Sequence, residues 1–201
     1  MRLKHPLLAV ALIFLLASVG YAQTPKTPQD PDTPGFRVEV EVRGDIVAEF
    51  STRVFSYVEL RSELEKGLPP LTVTDRPAEI GTAERALARR IRVARAKAKQ
   101  GDIFTPTISV EFRKALLVVM DAKTWESIMD DNPGTFSVRI NGTYPEKRPL
   151  STVPPNILAV LPDLPDDVEY RFLGRHLVLL DTRARVLLDG IAYALPARRQ
   201  R

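Results

Sequence analysis

The chain has 201 residues, among them no cysteine, two histidines and seventeen prolines, and its formal net charge is +4 at pH 7. This length fits one globular domain with appended segments, and a hydrophobic content of 44% is ordinary for a folded protein. The absence of cysteine excludes disulfides, thiolate metal sites and a cysteine nucleophile.

The first 22 residues have the pattern of a secretory signal peptide. Arg2 and Lys4 precede an apolar run from Leu7 to Val19, and the small residues Gly20 and Ala22 suit a cleavage site. The run has 13 residues, whereas a helix needs about 20 to cross a bilayer. We therefore expect cleavage after Ala22, export to the periplasm or the extracellular space, and no permanent membrane span.

A proline-rich segment, residues 23–35, follows the predicted signal. Its prolines recur at every third position, which favours polyproline II and is incompatible with a helix interior or a central strand. We interpret this segment as a linker, and a disordered leader without a role is the alternative. The remaining residues, 36–197, are predicted to form a single domain.

The first part of this domain is predicted to be helical over residues 44–131. Before it, residues 36–43 alternate apolar and charged side chains, which predicts a half-buried strand closed by Gly44. Three or four helices follow: one to about Lys66, one from near Pro77 to before Gly101, one from Pro106 with Thr105 as N-cap, and a short one capped by Asp121 or Thr124. The predicted buried positions of the first three are Val47, Phe50, Val54, Tyr57, Val58 and Leu64; Ile80, Ala83, Leu87, Ile91, Ala94 and Ala98; and Ile108, Phe112, Leu116, Val119 and Met120.

Residues 134–190 are predicted to be rich in strands. Residues 136–140 alternate, Asn141-Gly142 is a turn signal, and one short helix is expected within 156–161. Gly174-Arg175 fits a two-residue hairpin turn, which sets Leu173 opposite His176. The pairing continues residue by residue away from the turn, as far as Glu169 opposite Leu180. In this register Val168, Tyr170, Phe172, Leu177 and Leu179 share an apolar face, while Glu169, Arg171 and His176 lie on the other.

A third strand near residues 185–188 is expected to complete a meander. The predicted fold class is therefore α+β, in which an N-terminal helical half of three to four helices packs with a C-terminal antiparallel hairpin or meander.

Two segments carry a resemblance to a known family. Gln100–Pro106 (QGDIFTP) and Glu169–Asp181 (EYRFLGRHLVLLD) resemble an uncharacterised family of exported bacterial proteins that has the same order of signal, helical region and terminal hairpin. The resemblance covers most of the chain after about Asp45. It implies an exported protein of the bacterial envelope, and it implies no activity, cofactor or ligand.

The residues that could support catalysis lack a catalytic arrangement. Cleavage of the signal removes His5, and the hairpin register places the remaining histidine, His176, at the tip of a ribbon, where we expect it to be exposed and non-catalytic. No nucleophile elbow, phosphate-binding glycine-rich loop or zinc-protease motif occurs. No catalytic residue, metal ligand or cofactor site is therefore predicted.

Two acidic clusters leave an alternative open, because paired carboxylates can hold a hard cation or cleave a glycosidic bond. Solvated or capping carboxylates are the favoured interpretation, since neither cluster has a defining spacing. The clusters are Asp130 and Asp131, and Asp163, Asp166, Asp167 and Glu169.

The second predicted helix is the most uneven charge feature, with seven basic and two acidic residues between Glu79 and Lys99. Four of its basic residues, Arg85, Arg89, Arg92 and Lys99, are predicted to point away from the buried stripe. Such a face suits an anionic partner, although basic residues late in a helix also complement its dipole as a solvated surface. Nucleic acid is disfavoured, because no aromatic residue interleaves with the arginines.

The leading functional hypothesis is a non-enzymatic binding or structural module of the bacterial periplasm or envelope. The first alternative is a binder of an anionic envelope component, either lipid headgroups or acidic polysaccharide, through Arg85, Arg89, Arg92 and Lys99. The second alternative is a carboxylate-dependent hydrolase.

Overall fold

The computed structural model describes residues 34–68, 77–135 and 139–197, with side chains described from residue 44 in the first helix and from residue 78 in the second. The predicted signal peptide, its cleavage after Ala22 and residues 23–33 of the predicted linker lie outside the described residues. Residues 136–138 of the predicted strand 136–140 lie outside them as well.

Five helices form within the described ranges. They are α1 (Pro34–Glu65), α2 (Pro77–Ala94), α3 (Pro106–Val119), α4 (Ala122–Asp130) and the single turn α5 (Pro155–Leu158). The α+β prediction is confirmed, because a three-stranded antiparallel sheet follows at the C-terminal end.

The strand predicted over residues 36–43 is wrong, since these residues are part of α1. The predicted helical region therefore begins at Pro34 rather than at Gly44, and the predicted linker overlaps its first two residues. Pro34 occupies the first helical position, where the missing N–H has no cost. Extending an existing helix needs no new nucleus, so the helix whose residues Ile46, Phe50 and Val54 are buried overrides a local alternation of eight residues.

The helix caps follow the sequence signals. Thr105 precedes α3, and its hydroxyl oxygen accepts the N–H of Ile108. Of the two candidates for α4, Asp121 is the N-cap, and its carboxylate accepts the N–H of Thr124 at 2.7 Å. This hydrogen bond lowers the pKa of Asp121 below its ordinary value, since it stabilises the charged form.

The predicted buried stripes are confirmed in part. Phe50, Val54 and Tyr57 are buried on α1, but Ile46 takes the place predicted for Val47, which is exposed. The buried positions on α2 and α3 include Leu87, Ile91, Ile108, Phe112 and Leu116.

Both ends of the predicted α2 stripe are wrong, because Ile80 near its start is exposed and α2 ends at Ala94. The hydrogen-bond spacing shortens beyond that residue, because the N–H of Ala96 donates to the carbonyl of Val93, three residues back rather than four. Ala94 is consequently exposed, and Ala98 lies beyond the helix and is half-buried.

The sheet is a meander of β1 (Val168–Leu173), β2 (His176–Asp181) and β3 (Val186–Ile191) in that spatial order. The predicted hairpin register is confirmed at each pair, from Leu173 opposite His176 to Glu169 opposite Leu180. Gly174 has a φ of +57° in the turn, as a hairpin of this type requires.

Both faces of the sheet are covered. The predicted apolar face packs against the helices, where the rings of Phe50, Phe104, Phe112 and Tyr170 pack on one another. The face that carries Glu169, Arg171 and His176 also holds a second, smaller apolar cluster and is not a solvated surface. The residues of that cluster are Tyr144, Leu173, Val178, Leu180 and Leu187, with Ile140 and Leu150 against them.

The two outer strands are each bordered by a connecting segment. Thr143 forms a bridge with Val186 of β3. Beside β1, the hydroxyl of Ser151 accepts the N–H of Phe172 and donates to its carbonyl, both at 2.9 Å. Ser151 is buried. Its hydroxyl therefore supplies the hydrogen-bond partner of both the N–H and the carbonyl of Phe172.

A fully buried carboxylate, Asp189 of β3, fixes the loop between α2 and α3. It accepts the backbone N–H groups of Gly101 at 3.0 Å, Ile103 at 2.7 Å and Phe104 at 2.8 Å. These donors compensate for the cost of burying the carboxylate charge. Their hydrogen bonds attach the loop between α2 and α3 to β3.

A second buried carboxylate, Asp181 of β2, lies against α1. It accepts the hydroxyl of Tyr57 at 2.5 Å, a guanidinium N–H of Arg61 at 3.3 Å and the N–H of Ala184 at 2.7 Å. Burial and the Asp181 carboxylate raise the pKa of Tyr57 above its ordinary value, so the phenol stays protonated and donates. This cluster joins the first helix to the sheet.

None of the helices in the described ranges combines the length and apolar composition that a membrane span needs.

Candidate functional site

A tight turn at residues 139–142 forms one wall of a cavity that is lined by basic side chains. The N–H of Gly142 donates to the carbonyl of Arg139 at 2.8 Å, and Asn141 has a φ of +62°, which asparagine tolerates better than most residues. A Cβ at Gly142 would lie 2.7 Å from the carbonyl oxygen of Arg139, so glycine is required there. The predicted Asn-Gly turn is therefore confirmed.

Asn141 joins this turn to both α2 and β3. Its side-chain amide donates to the carbonyls of Arg92 and Arg95, each at 2.9 Å, and so caps the C-terminal end of α2. Its backbone N–H donates to Leu187 of β3 at 2.7 Å, and the N–H of Leu187 donates back to Gly142. These bonds hold the turn beside the last turn of α2.

An open cavity of about 590 Å³ lies between the turn and α2, and we call it the basic groove. Three exposed guanidinium side chains line it: Arg89 and Arg92 from α2, and Arg139 from the turn. Val93, Ala96 and Ile140 supply apolar surface to the same lining. None of the described residues that line the groove is acidic, so its charge is uniformly positive.

The other arginines of this region are engaged elsewhere. Arg85 lies 3.4 Å from Glu146, and both side chains are exposed. Arg90 donates to the carbonyls of Leu64 and Lys66 at the end of α1, and Arg95 donates to Leu188 of β3. In contrast, Arg89, Arg92 and Arg139 have no ion-pair partner within the described part of the chain.

The groove thus contains only two of the four residues of the predicted basic face, which are Arg85, Arg89, Arg92 and Lys99. Arg89 and Arg92 line the groove together. Arg85 does not line it, and Lys99 lies in the loop beyond Ala94, where α2 ends. The third groove arginine, Arg139, follows Arg92 by 47 positions, and the helical period of α2 contains no signal for it.

The acidic clusters do not assemble into a site. Asp130 is exposed, whereas Asp131 accepts the N–H of Thr152 at 2.7 Å. Asp163 and Asp166 are exposed, Asp167 lies 3.6 Å from Arg61, and Glu169 pairs with Arg171. Asp163 and Glu169 do line a cavity of about 410 Å³, but Arg171 lines it as well and neutralises Glu169. Across the described ranges, no group of three metal-ligating side chains is close enough to hold a metal ion.

His176 lies at the start of β2, as predicted, but it is half-buried rather than exposed. Its Nδ1 accepts the N–H of Tyr193 at 3.2 Å, and its ring packs on the Tyr193 ring. Burial and the neighbouring Arg175 lower the pKa of His176 below its ordinary value, which keeps Nδ1 unprotonated and able to accept. The geometry gives His176 a structural contact at the sheet end.

Comparison with protein-family models, with curated proteins and with solved structures finds no match to this chain.

Proposed function

We propose that this chain is a non-enzymatic binding module of the bacterial envelope, and that the basic groove is the surface with which it binds anionic groups. The observation that carries the proposal is the convergence of Arg89, Arg92 and Arg139 on one open cavity without an acidic residue in its lining. Guanidinium groups donate several hydrogen bonds in a planar fork, which suits phosphate and carboxylate oxygens.

The construction of the groove supports the same proposal. Arg139 comes from a turn that is held by hydrogen bonds to α2 and β3, so the three charges are brought together before any ligand arrives. Like charges that are held close repel one another, and a bound anion relieves that repulsion. Binding through such a surface is expected to weaken steeply as salt is added.

Neutralising the groove tests this function. The triple variant Arg89→Gln, Arg92→Gln, Arg139→Gln is expected to lose most of its retention on immobilised heparin and most of its co-sedimentation with anionic vesicles at low ionic strength. Near an anionic surface each basic residue contributes about 1 kcal/mol, so the three together correspond to roughly a hundredfold in affinity. The measurement is the elution salt concentration and the vesicle-bound fraction, with circular dichroism to verify the fold.

The matched control removes the same charge from exposed lysines outside the groove. The variant Lys66→Gln, Lys114→Gln, Lys123→Gln has the same net charge as the groove variant, and none of these lysines lines the groove. It is expected to bind nearly as well as the unmodified chain. Equal losses in the two triple variants would show that net charge rather than the groove controls binding, and would contradict the proposal.

We propose export on the basis of the signal pattern and the resemblance of the QGDIFTP and EYRFLGRHLVLLD segments to exported bacterial proteins. Expression of the full chain in a bacterium should place it in the periplasmic or secreted fraction, with a mature N-terminus at Gln23. Mass spectrometry of that fraction measures the N-terminus directly. A chain retained in the cytoplasm with residues 1–22 intact would contradict export.

A further inference from the structure

The lining of the basic groove includes an exposed apolar side chain. Val93 directly follows Arg92 in α2, lines the same cavity and is 72% exposed. A single exposed valine is common on protein surfaces. Val93 differs because Ala96 and Ile140 add apolar surface to the same cavity, which Arg89, Arg92 and Arg139 also line with positive charge.

This combination matches the interface of a lipid bilayer. At that interface the phosphate groups form an anionic layer above the acyl chains, and basic side chains with long apolar stems bind the phosphates while small apolar groups enter the boundary below. The apolar parts of the groove would gain nothing from a fully hydrated polyanion. The groove is also open, and no aromatic ring lines it within the described residues, as a stacking site for sugar rings would require.

We infer that the basic groove docks the protein on an anionic phospholipid bilayer, with the three arginines on the headgroup phosphates and Val93 inserted at the boundary with the acyl chains. The inference rests on the proposed function and names its partner. It requires α2 to lie against the membrane near its C-terminal end, where Arg92 and Val93 are neighbours.

A fluorescent label at Val93 tests the insertion. The chain contains no cysteine, so Val93→Cys can be labelled at one position with a dye whose emission shifts to shorter wavelength in apolar surroundings. We expect that shift with vesicles of equal parts phosphatidylglycerol and phosphatidylcholine, and no shift with phosphatidylcholine alone or with heparin. The matched control is Val118→Cys, because Val118 is 83% exposed on α3 and does not line the groove. Its label should show no shift with any of these.

A second pair of variants measures the contribution of the apolar contact. Val93→Asn is expected to reduce partitioning onto the anionic vesicles about five- to tenfold, since a valine side chain no longer enters the boundary. The matched control Val118→Asn, which lies outside the groove, should alter neither vesicle partitioning nor retention on heparin. Both positions are exposed, so neither substitution is expected to disturb the fold.

The outcomes separate this inference from the proposed function. Groove-dependent binding to heparin without binding to the vesicles would overturn the lipid inference and leave the proposed function intact. Vesicle binding without a shift at the Val93 label, or with equal shifts at both labels, would also overturn insertion at the groove. Absence of binding to both heparin and vesicles would overturn the inference and the proposed function together.

Discussion

Replacing Asp189 with alanine is expected to lower the free energy of unfolding by about 3–5 kcal/mol. The substitution leaves the N–H groups of Gly101, Ile103 and Phe104 without their acceptor, and each buried donor that loses its partner costs about 1–3 kcal/mol. The expected value lies toward the lower end of the sum, since water can enter the vacated space. In urea unfolding this corresponds to a midpoint lower by roughly 2 M.

The control for this prediction is in the same loop. Asp102 is half-buried and accepts one backbone N–H, that of Lys99, at 2.9 Å. Asp102→Ala is therefore expected to cost only about 1 kcal/mol. If Asp189→Ala and Asp102→Ala lowered the urea midpoint by the same amount, the loop would not be held by Asp189.

Replacing Asp181 with alanine is expected to have an effect of similar size, about 3–5 kcal/mol, because it removes the nearest carboxylate from a buried guanidinium. Arg61 is only 7% exposed, and its remaining acidic neighbours, Asp167 and Glu65, lie 3.6 and 3.7 Å away. The Tyr57 hydroxyl also loses its acceptor. Urea unfolding at neutral pH measures the loss.

A double-mutant cycle isolates the hydrogen bond between Tyr57 and Asp181. Tyr57→Phe alone should cost about 1.5–3 kcal/mol, the range for a hydrogen bond to a charged group, and much less once Asp181 is already alanine. Tyr193→Phe is the matched control, since Tyr193 is 63% exposed, and it should change stability by less than about 0.5 kcal/mol. Additive losses in the cycle would show that the two side chains are not coupled.

The parts of the fold that sequence patterns predicted are those set by local rules. A two-residue turn fixes the pairing of its flanking strands, so Gly174-Arg175 determined the partners of β1 and β2. Thr105 and Pro106 identified the start of α3, because the cap and the missing N–H act within one turn. In each case the interacting groups are close in sequence.

The parts that patterns did not predict depend on contacts between distant segments. The alternation at 36–43 suggested a strand, but those residues extend the helix that buries Ile46, Phe50 and Val54. Arg139 joins Arg89 and Arg92 only because Asn141 bonds to the carbonyls at the end of α2. Nothing in the spacing of residues 139–142 indicates that partner. Asp189 had a usable signal, namely a lone carboxylate within the apolar run of β3, which points to a buried acceptor.

The segments that border β1 and β3 affect how readily two copies of the protein can pair through their sheets. An uncovered outer strand presents backbone donors and acceptors that a second copy can pair with, and this is a common route to aggregation. Here the Ser151 hydroxyl consumes both free backbone groups of Phe172, while the turn that carries Asn141 and the bridge at Thr143 occupies β3. These contacts leave fewer backbone groups of the outer strands available for pairing with the sheet of a second copy, and some of them come from the same turn that builds the basic groove.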